Sequence, residues 1–443
     1  MRSKTSPLRR SLWASLWEGI FASIFVGLTD QFFIPLALLL KATNQAIGLL
    51  VAIPNLMAAL AQAWSVKVVT FIHSRKKVMV KSVFLQALLV LPIAVLPYLR
   101  LPAKPYLLIF LITIYAMTGA FSAPPYGSIM SDYIPSHKRG QYFGWRNRLF
   151  GLVIVGSSLA AGIFLRLFRS ANPFIGFTIL FFLAFLFRLG SAYNLMRMKE
   201  YATKFSEKYQ FTFWMFIRRI RESNFVKFGL FVSLITFGAN VAGPFFSVFM
   251  LRDLGFNYLT YVLINIAALI TLFGSMKLWG HHADVVGNLH VMKFTSIFIV
   301  VQSLWWVFLD KPIHLILIQI IGGFVWGGFN LAASNFIYDA VTPEKRVRCI
   351  AYFNMMNGIA LSLGAILGGF LASRLPPLMG YQLRGLFVLS AFLRLLPIAL
   401  ILPLIKEVRP VKKTSSLDLF FSVIGVRPLF GLSRETTLKL LRR

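Results

Sequence analysis

The chain has a single cysteine, Cys349, and only 14 acidic residues among its 443. One thiol excludes an intrachain disulfide, and Cys349 is expected to be a packed small residue. Charged residues of both signs make up 14% of the chain, against about 25% in an ordinary soluble domain. Disorder is excluded too, because 44 Phe and a mean hydropathy of +0.73 are far from the low hydrophobicity that keeps a chain unfolded. No glycine-rich loop ends in Lys-Ser or Lys-Thr, which removes direct ATP hydrolysis by a P-loop. The six histidines (His73, His137, His281, His282, His290 and His314) fall in loops or at the ends of apolar runs. His281 and His282 are adjacent and so lack helical ligand spacing; no metal and no cofactor are expected. With no His or acid cluster along the apolar runs, an enzyme is not expected either.

Long apolar runs are what the sequence has in abundance. Each is long enough at 1.5 Å per residue to cross a hydrocarbon core of about 30 Å. Twelve spans are predicted: Leu16–Leu40, Ile47–Val69, Val78–Leu99, Tyr106–Met130, Asn147–Leu165 and Pro173–Met196, then Phe225–Leu251, Leu259–Trp279, Val291–Leu309, Pro312–Tyr338, Ile350–Leu371 and Leu386–Leu404. The first run is too long for a cleavable signal and holds Glu18 and Asp30, so it is expected to stay in the mature protein. The net charge of +32 is then a matter of sidedness. With the N-terminus inside, 35 of the 46 basic residues fall on inner segments and 9 on outer loops, leaving Arg188 and Arg394 within spans. That bias predicts an integral protein of the plasma (inner) membrane with both termini in the cytoplasm. No basic domain free of spans remains, which excludes a nucleic-acid partner.

An internal repeat divides the chain. After span four stand Asp132, Lys138, Arg139, Trp145 and Asn147; after span ten stand Asp339, Lys345, Arg346, Tyr352 and Asn354, each pair 207 residues apart. Arg188 in Ala184-Phe-Leu-Phe-Arg-Leu and Arg394 in Ala391-Phe-Leu-Arg-Leu repeat at nearly the same offset. Residues 1–196 and 225–404 are therefore read as two parallel six-helix bundles. Residues 197–224 form a cytoplasmic linker expected to lie at the interface as a helix, and 405–443 a basic tail expected either to rest on anionic lipid or to stay disordered.

With that repeat, the sequence resembles the major facilitator superfamily over residues 16–404. The family's pattern between the second and third spans of a half is matched by Gly280, Asp284 and Gly287 in Gly280-His-His-Ala-Asp-Val-Val-Gly287; in the first half Lys67, Phe71 and Ser74 stand instead, and only the basic run Arg75-Lys76-Lys77 survives. The resemblance implies an all-α polytopic membrane protein of twelve helices in two pseudo-symmetric bundles. It also implies a cytoplasmic gate built on Asp284, Asp132, Arg139, Asp339 and Arg346 with those glycines. Asp284 is expected to latch near Arg146 and Asn147 at the start of span five; capping its own loop is the alternative.

By the same resemblance a central cavity is lined mainly by spans one, four, seven and ten. Its candidate residues are Asp30, Gln31, Tyr115, Asn240, Trp326, Asn330 and Asn357, with Asn55, Thr118 and Asn265 also polar at mid-depth. Amides and aromatic faces suit a neutral or amphiphilic organic solute, although polar groups also tie helices together. An ionisable group inside a bilayer is a functional candidate by default. Asp30 is read as a proton-coupling site, a counter-charge for a cationic solute, or the partner of a nearby Arg. Arg188 and Arg394, repeated in both halves, are read as structural. The implied activity is secondary transport of a small organic solute by alternating access, with lipid and protons as partners and a monomer sufficing. The alternative is a protein that kept the fold without transport, as a receptor, assembly factor or lipid-handling protein.

Overall fold

The computed structural model describes residues 7–135, 139–168, 172–201, 223–341 and 343–408, with the side chains of 63, 66, 139–141 and 343–348 outside that set. Most of the expected linker helix and nearly all of the tail therefore lie outside the described residues. Among those described, twelve spans are helical: Pro7–Leu39, Asn44–Gln62, Arg75–Tyr98, Lys104–Tyr133, Tyr142–Phe168, Pro173–Met196, Asn224–Asp253, Tyr258–Val286, Asn288–Phe308, Pro312–Ala340, Cys349–Leu371 and Gln382–Leu404. Below they are spans one to twelve. The face where span one begins and span twelve ends is the proximal face, and the opposite one is distal.

The starts of the helices are written in the sequence. Thr43, Ser74, Asn172, Ser223 and Asn257 each accept a hydrogen bond from a backbone N–H one turn or less ahead, which satisfies a donor that would otherwise be left open. Two expectations need correction. Span one is not continuous: it is helical over Pro7–Thr29 and again over Phe33–Leu39, with Asp30, Gln31 and Phe32 forming a turn between the pieces. Span eight does not stop at Trp279 but runs to Val286, so the segment read as a loop is helical. Gly287, at φ 91°, is the single residue between it and span nine, a backbone setting that excludes most other side chains.

The repeat is realised in three dimensions. In the first half span one packs on five and six, span four on two and three, and span three on six. The second half repeats the same five pairings: seven on eleven and twelve, ten on eight and nine, and nine on twelve. Between the halves, two packs on eleven and five on eight. Spans six and twelve show apolar side chains such as Leu186, Phe182, Leu395 and Leu400 on their outer faces while burying Arg188 and Arg394, the pattern of a lipid-facing helix with one polar residue turned inward.

The halves are sealed together on the distal side. Asn44 donates to the Ser373 hydroxyl at 2.9 Å and accepts from Arg252 at 2.8 Å; Ser362 donates to the Ala52 carbonyl at 2.9 Å. Gly48 and Gly369 let spans two and eleven touch backbone to backbone, for a Cβ on Gly369 would stand 3.0 Å from the Asn44 carbonyl and 3.1 Å from the Gly48 Cα. Close approach of this kind is what small residues provide between membrane helices. Replacing Gly369 by Leu is therefore expected to part the distal seal. In a Cys349→Ala background, maleimide labelling of Ala52→Cys from the distal side should rise several-fold over the Gly369 parent, and an unchanged rate would show that the glycine contact does not hold the seal.

A candidate binding cavity and the basal clamps

The turn in span one has a local cause. Proline has no N–H, so Pro35 leaves the carbonyl of Gln31 without its helical donor. Tyr261 of span eight supplies the missing donor across the interface, its hydroxyl lying 3.0 Å from the Gln31 carbonyl. Span four handles Pro125 in the same way: the Phe121 carbonyl is freed, and Ser65, in the helix of span two that continues to Ile72, donates to it at 2.8 Å. Buried backbone acceptors are thus paired by hydroxyls from neighbouring helices, as a bilayer requires.

The turn exposes Asp30 and directs Gln31 into a cavity of about 530 Å³. Carboxamides dominate its polar lining: Gln31, Asn240, Asn265, Gln302, Gln319 and Asn330, with the indole of Trp326 and the guanidinium of Arg394. Trp326 and Asn330 also border a second cavity of about 360 Å³ that continues along spans ten and eleven past Asn357 to Asn354 and Tyr338 near the proximal face. Asn240 donates to the Thr236 carbonyl, and Asn357 accepts from Ser233 and Thr236, so both amides are fixed at one end. Two buried atoms in the larger cavity have no hydrogen-bond partner among the described residues, Gln31 Oε1 and Arg394 Nε. Of the seven residues expected to line the centre, Gln31, Asn240, Trp326, Asn330 and Asn357 meet in these two cavities, together with Asn265, whereas Asp30, Tyr115, Asn55 and Thr118 line neither. Gln302 and Gln319, from spans nine and ten, were not anticipated.

Asp30 and Tyr115 stand outside this wall of amides. The Asp30 carboxylate accepts from the Tyr115 and Thr29 hydroxyls at 3.1 and 3.2 Å. Tyr115 is buried and packs against Phe25 and Phe33. Arg188 donates from Nε and Nη2 to the Gln86 side-chain carbonyl at 2.9 and 2.5 Å and from Nη1 to Ser191 at 3.2 Å. Ser191 in turn donates to Glu18 at 3.2 Å, and Glu18 lies 3.6 Å from the Arg146 guanidinium. Arg146 also bonds the Tyr126 hydroxyl and sits over the Phe150 ring. In this conformation Arg146 therefore faces Glu18 of its own half; Asp284 is exposed in the last turn of span eight.

The other gate residues are divided between two clamps at the proximal face. Arg75, 2% exposed, bridges Asp132 at 2.9 Å and Glu200 at 3.3 Å and donates to the Ser128 hydroxyl and the Tyr201 carbonyl. Glu200 also accepts from Ser74 and from the Arg75 and Lys76 amides. In the second half Asn288 takes the place of Arg75, donating to Asp339 at 2.7 Å, while Glu407 accepts from the Leu289 amide at 2.7 Å. Glu407 is 207 residues beyond Glu200, as Asp339 is beyond Asp132. Phe71, where the motif would place an acid, is 85% exposed. Gly280 lies within span eight against Leu331. The side chains of Arg139 and Arg346 lie outside the described residues.

The family model for the Major Facilitator Superfamily matches residues 19–334 and, in a second overlapping match, 278–433. The chain belongs to the Major Facilitator Superfamily. Its architecture is similar to that of the nucleoside transporter NupG, at 12% identity with a TM-score of 0.68 over 91% of this chain and 100% of that one. It is similar also to a bacterial homologue of the human lysosomal transporter Spinster in an inward-facing, unoccupied conformation, at 13% identity and a TM-score of 0.67 over 90% of this chain and 97% of that one. By sequence the chain matches no curated protein at a significant level. The superfamily membership makes this an integral membrane protein of a transporter family, with twelve helices able to cross a membrane.

The first-half clamp gives two expectations. Removing Arg75 leaves two carboxylates facing each other, so Arg75→Ala should cost about 2–3 kcal/mol, near the lower end for breaking a buried pair because both acids are partly exposed. Burial pushes the Glu200 carboxyl up, but the Ser74 hydroxyl, the Arg75 and Lys76 amides and the Arg75 guanidinium outweigh it and hold it below the usual carboxylate range. A carboxyl depressed on folding adds stability above its unfolded value, about 4.3 for Glu, and loses it as the pH falls further. Melting of the purified protein in detergent should thus be more acid-sensitive below about pH 4.3 for the wild type than for Glu200→Gln. Parallel curves would remove Glu200 from the clamp.

Proposed function

We propose that this protein is a secondary transporter that moves a small organic solute by alternating access, with Asp30 as the residue through which protons couple to the movement. The observation that carries the reading is the cavity pair: an amide-lined chamber among spans seven, eight, nine, ten and twelve, reached by Gln31 of span one and continued toward the proximal face by the space along Asn357 and Tyr338, while spans two and eleven touch on the distal side through Asn44, Gly48 and Gly369. The excess of basic residues on proximal segments supports that face as the cytoplasmic one. The arrangement is then an inward-open state, in which the rocking of one bundle against the other about a fixed site would close the proximal side and part the distal seal.

Asp30 suits the coupling role by position. It stands at the turn in span one, next to Gln31 of the cavity, with two hydroxyl donors holding its carboxylate. Loss of those contacts when span one moves would change its affinity for a proton, and a proton bound there would change which arrangement of span one is favoured. The Asp284 latch near Arg146 belongs to the opposite state, in which the proximal ends of spans five and eight would meet.

Proteoliposomes loaded with candidate solutes test both parts. Wild-type protein should accumulate its solute faster under an imposed proton gradient. Asp30→Asn should lose that acceleration by at least about tenfold, as expected when a coupling carboxylate becomes non-ionisable, while exchange of solute at equal concentration on both sides persists. Failure of well-folded protein to move any solute would end the transport reading; a gradient effect that survives in Asp30→Asn would end the coupling role alone.

A further inference from the structure

We infer that the solute taken by the large cavity is an organic anion whose carboxylate or phosphate group pairs with Arg394. The inference deepens the transport reading, since it names the solute class of the same site.

Its basis is a difference between two guanidiniums that the repeat places alike. Arg188 is embedded in acceptors, with Gln86 bonding two of its nitrogens and Glu18 reached through Ser191. Arg394 is 3% exposed and donates to the Ile299 carbonyl at 2.9 Å and to the Ser390 hydroxyl at 2.8 Å. Ile299 is the counterpart of Gln86 by the offset that aligns Val78-Met79 with Val291-Met292. Where the first half has a side-chain carbonyl serving two nitrogens, the second has one backbone carbonyl serving one. Among the described residues Arg394 makes no ion pair, and its Nε has no hydrogen-bond partner.

No acid of the second half can reach it by place in the sequence. From Asn224 to Val408 the acids are Asp253, Asp284, Asp310, Asp339, Glu344 and Glu407, each at or beyond the end of a span. Glu18, whose charge balances the first-half site, has no acidic counterpart between Asn224 and Arg252. A guanidinium keeps its proton in a protein, and a buried charge without a counter-ion is costly. Arg394 nevertheless lines the large cavity together with Gln302, Gln319 and Trp326. The missing negative charge is therefore supplied by what enters. The other orphaned atom there, Gln31 Oε1, calls for a hydrogen-bond donor elsewhere on the same solute. An indole wall and a volume of about 530 Å³ fit a planar or compact organic body between the two.

The test is binding to purified full-length protein by thermal shift and calorimetry, with two matched pairs of probes: nicotinate against nicotinamide, and uridine monophosphate against uridine. The charged member of at least one pair should bind wild-type protein at least tenfold more tightly than its neutral partner, and which pair responds tells carboxylate from phosphate. Arg394→Gln should erase the preference and Arg394→Lys should restore part of it; the wild-type preference itself stands as a readout should either variant fold poorly. Equal binding of charged and neutral partners, binding by neither charged probe, or a preference that persists in folded Arg394→Gln would overturn the inference. Anion binding without flux in proteoliposomes would instead remove transport and leave the anion site, whereas flux of a neutral solute untouched by Arg394→Gln would do the reverse.

Discussion

Hydrocarbon cannot hydrogen-bond a peptide group, so every break in a membrane helix has to be answered by another part of the protein. In this chain the answer comes from hydroxyls on adjacent helices, and the places where they are needed are set by prolines. Pro35 releases the Gln31 carbonyl to Tyr261, and Pro125 releases the Phe121 carbonyl to Ser65. The first of these crosses the boundary between the bundles, which makes the local geometry of span one dependent on the position of span eight. The turn at Asp30-Gln31-Phe32 would be intolerable in lipid. It persists because it faces a polar cavity and because its open acceptor is filled from the other half.

The same requirement, applied to charge, separates the halves. Identical ancestry in the repeat gave each peripheral helix an inward-facing arginine, and the two have been neutralised differently. In the first half an unbroken chain runs through Gln86, Arg188, Ser191, Glu18, Arg146 and Tyr126. A connected network of this kind is stiff, since removing any member leaves a charge stranded. In the second half the arginine borders the large cavity with no ion pair among the described residues, whereas Arg188, on the wall of a cavity of about 350 Å³, is linked to Glu18 through Ser191. One bundle thus behaves as the rigid frame and the other as the receiving side of the site. The proximal clamps differ as well, with the guanidinium of Arg75 at the centre of the first and the carboxamide of Asn288 at the centre of the second.

The hydrophobic pattern was enough to place twelve spans and their repeat, because span length is fixed by bilayer thickness and the 207-residue offset survives in charged residues that cannot drift freely within a loop. The helix of span eight beyond Trp279 was not legible: His281, His282 and Asp284 are polar, and a helix that leaves the hydrocarbon looks like a loop to any hydropathy argument. The turn in span one had one sequence signal, Pro35, and that residue sits four positions away from the carbonyl it frees. Gln31, Asn240, Trp326, Asn330 and Asn357 could be proposed from their mid-depth position in the spans that the family resemblance puts around the cavity. Gln302 and Gln319 could not, since whether an amide in spans nine and ten faces a neighbour or a cavity depends on helix rotation, which sequence periodicity in an all-apolar span does not fix. Arg394 was visible as a charge but not as a cavity wall; only its partners distinguish it from Arg188.

Gly287 carries a mechanical consequence. With a single residue between them, spans eight and nine cannot tilt independently at their proximal ends and act as a bent lever with its elbow at the membrane surface. One arm holds the interface with span five and, through Tyr261, the turn in span one; the other begins at Asn288, anchored to Asp339. Displacement of the inner arm is therefore delivered to the outer wall of the bundle and to span twelve, against which span nine packs. An adjustment of a few ångströms beside Gln31 would arrive at Arg394 from behind, through the helix that supplies its Ile299 acceptor.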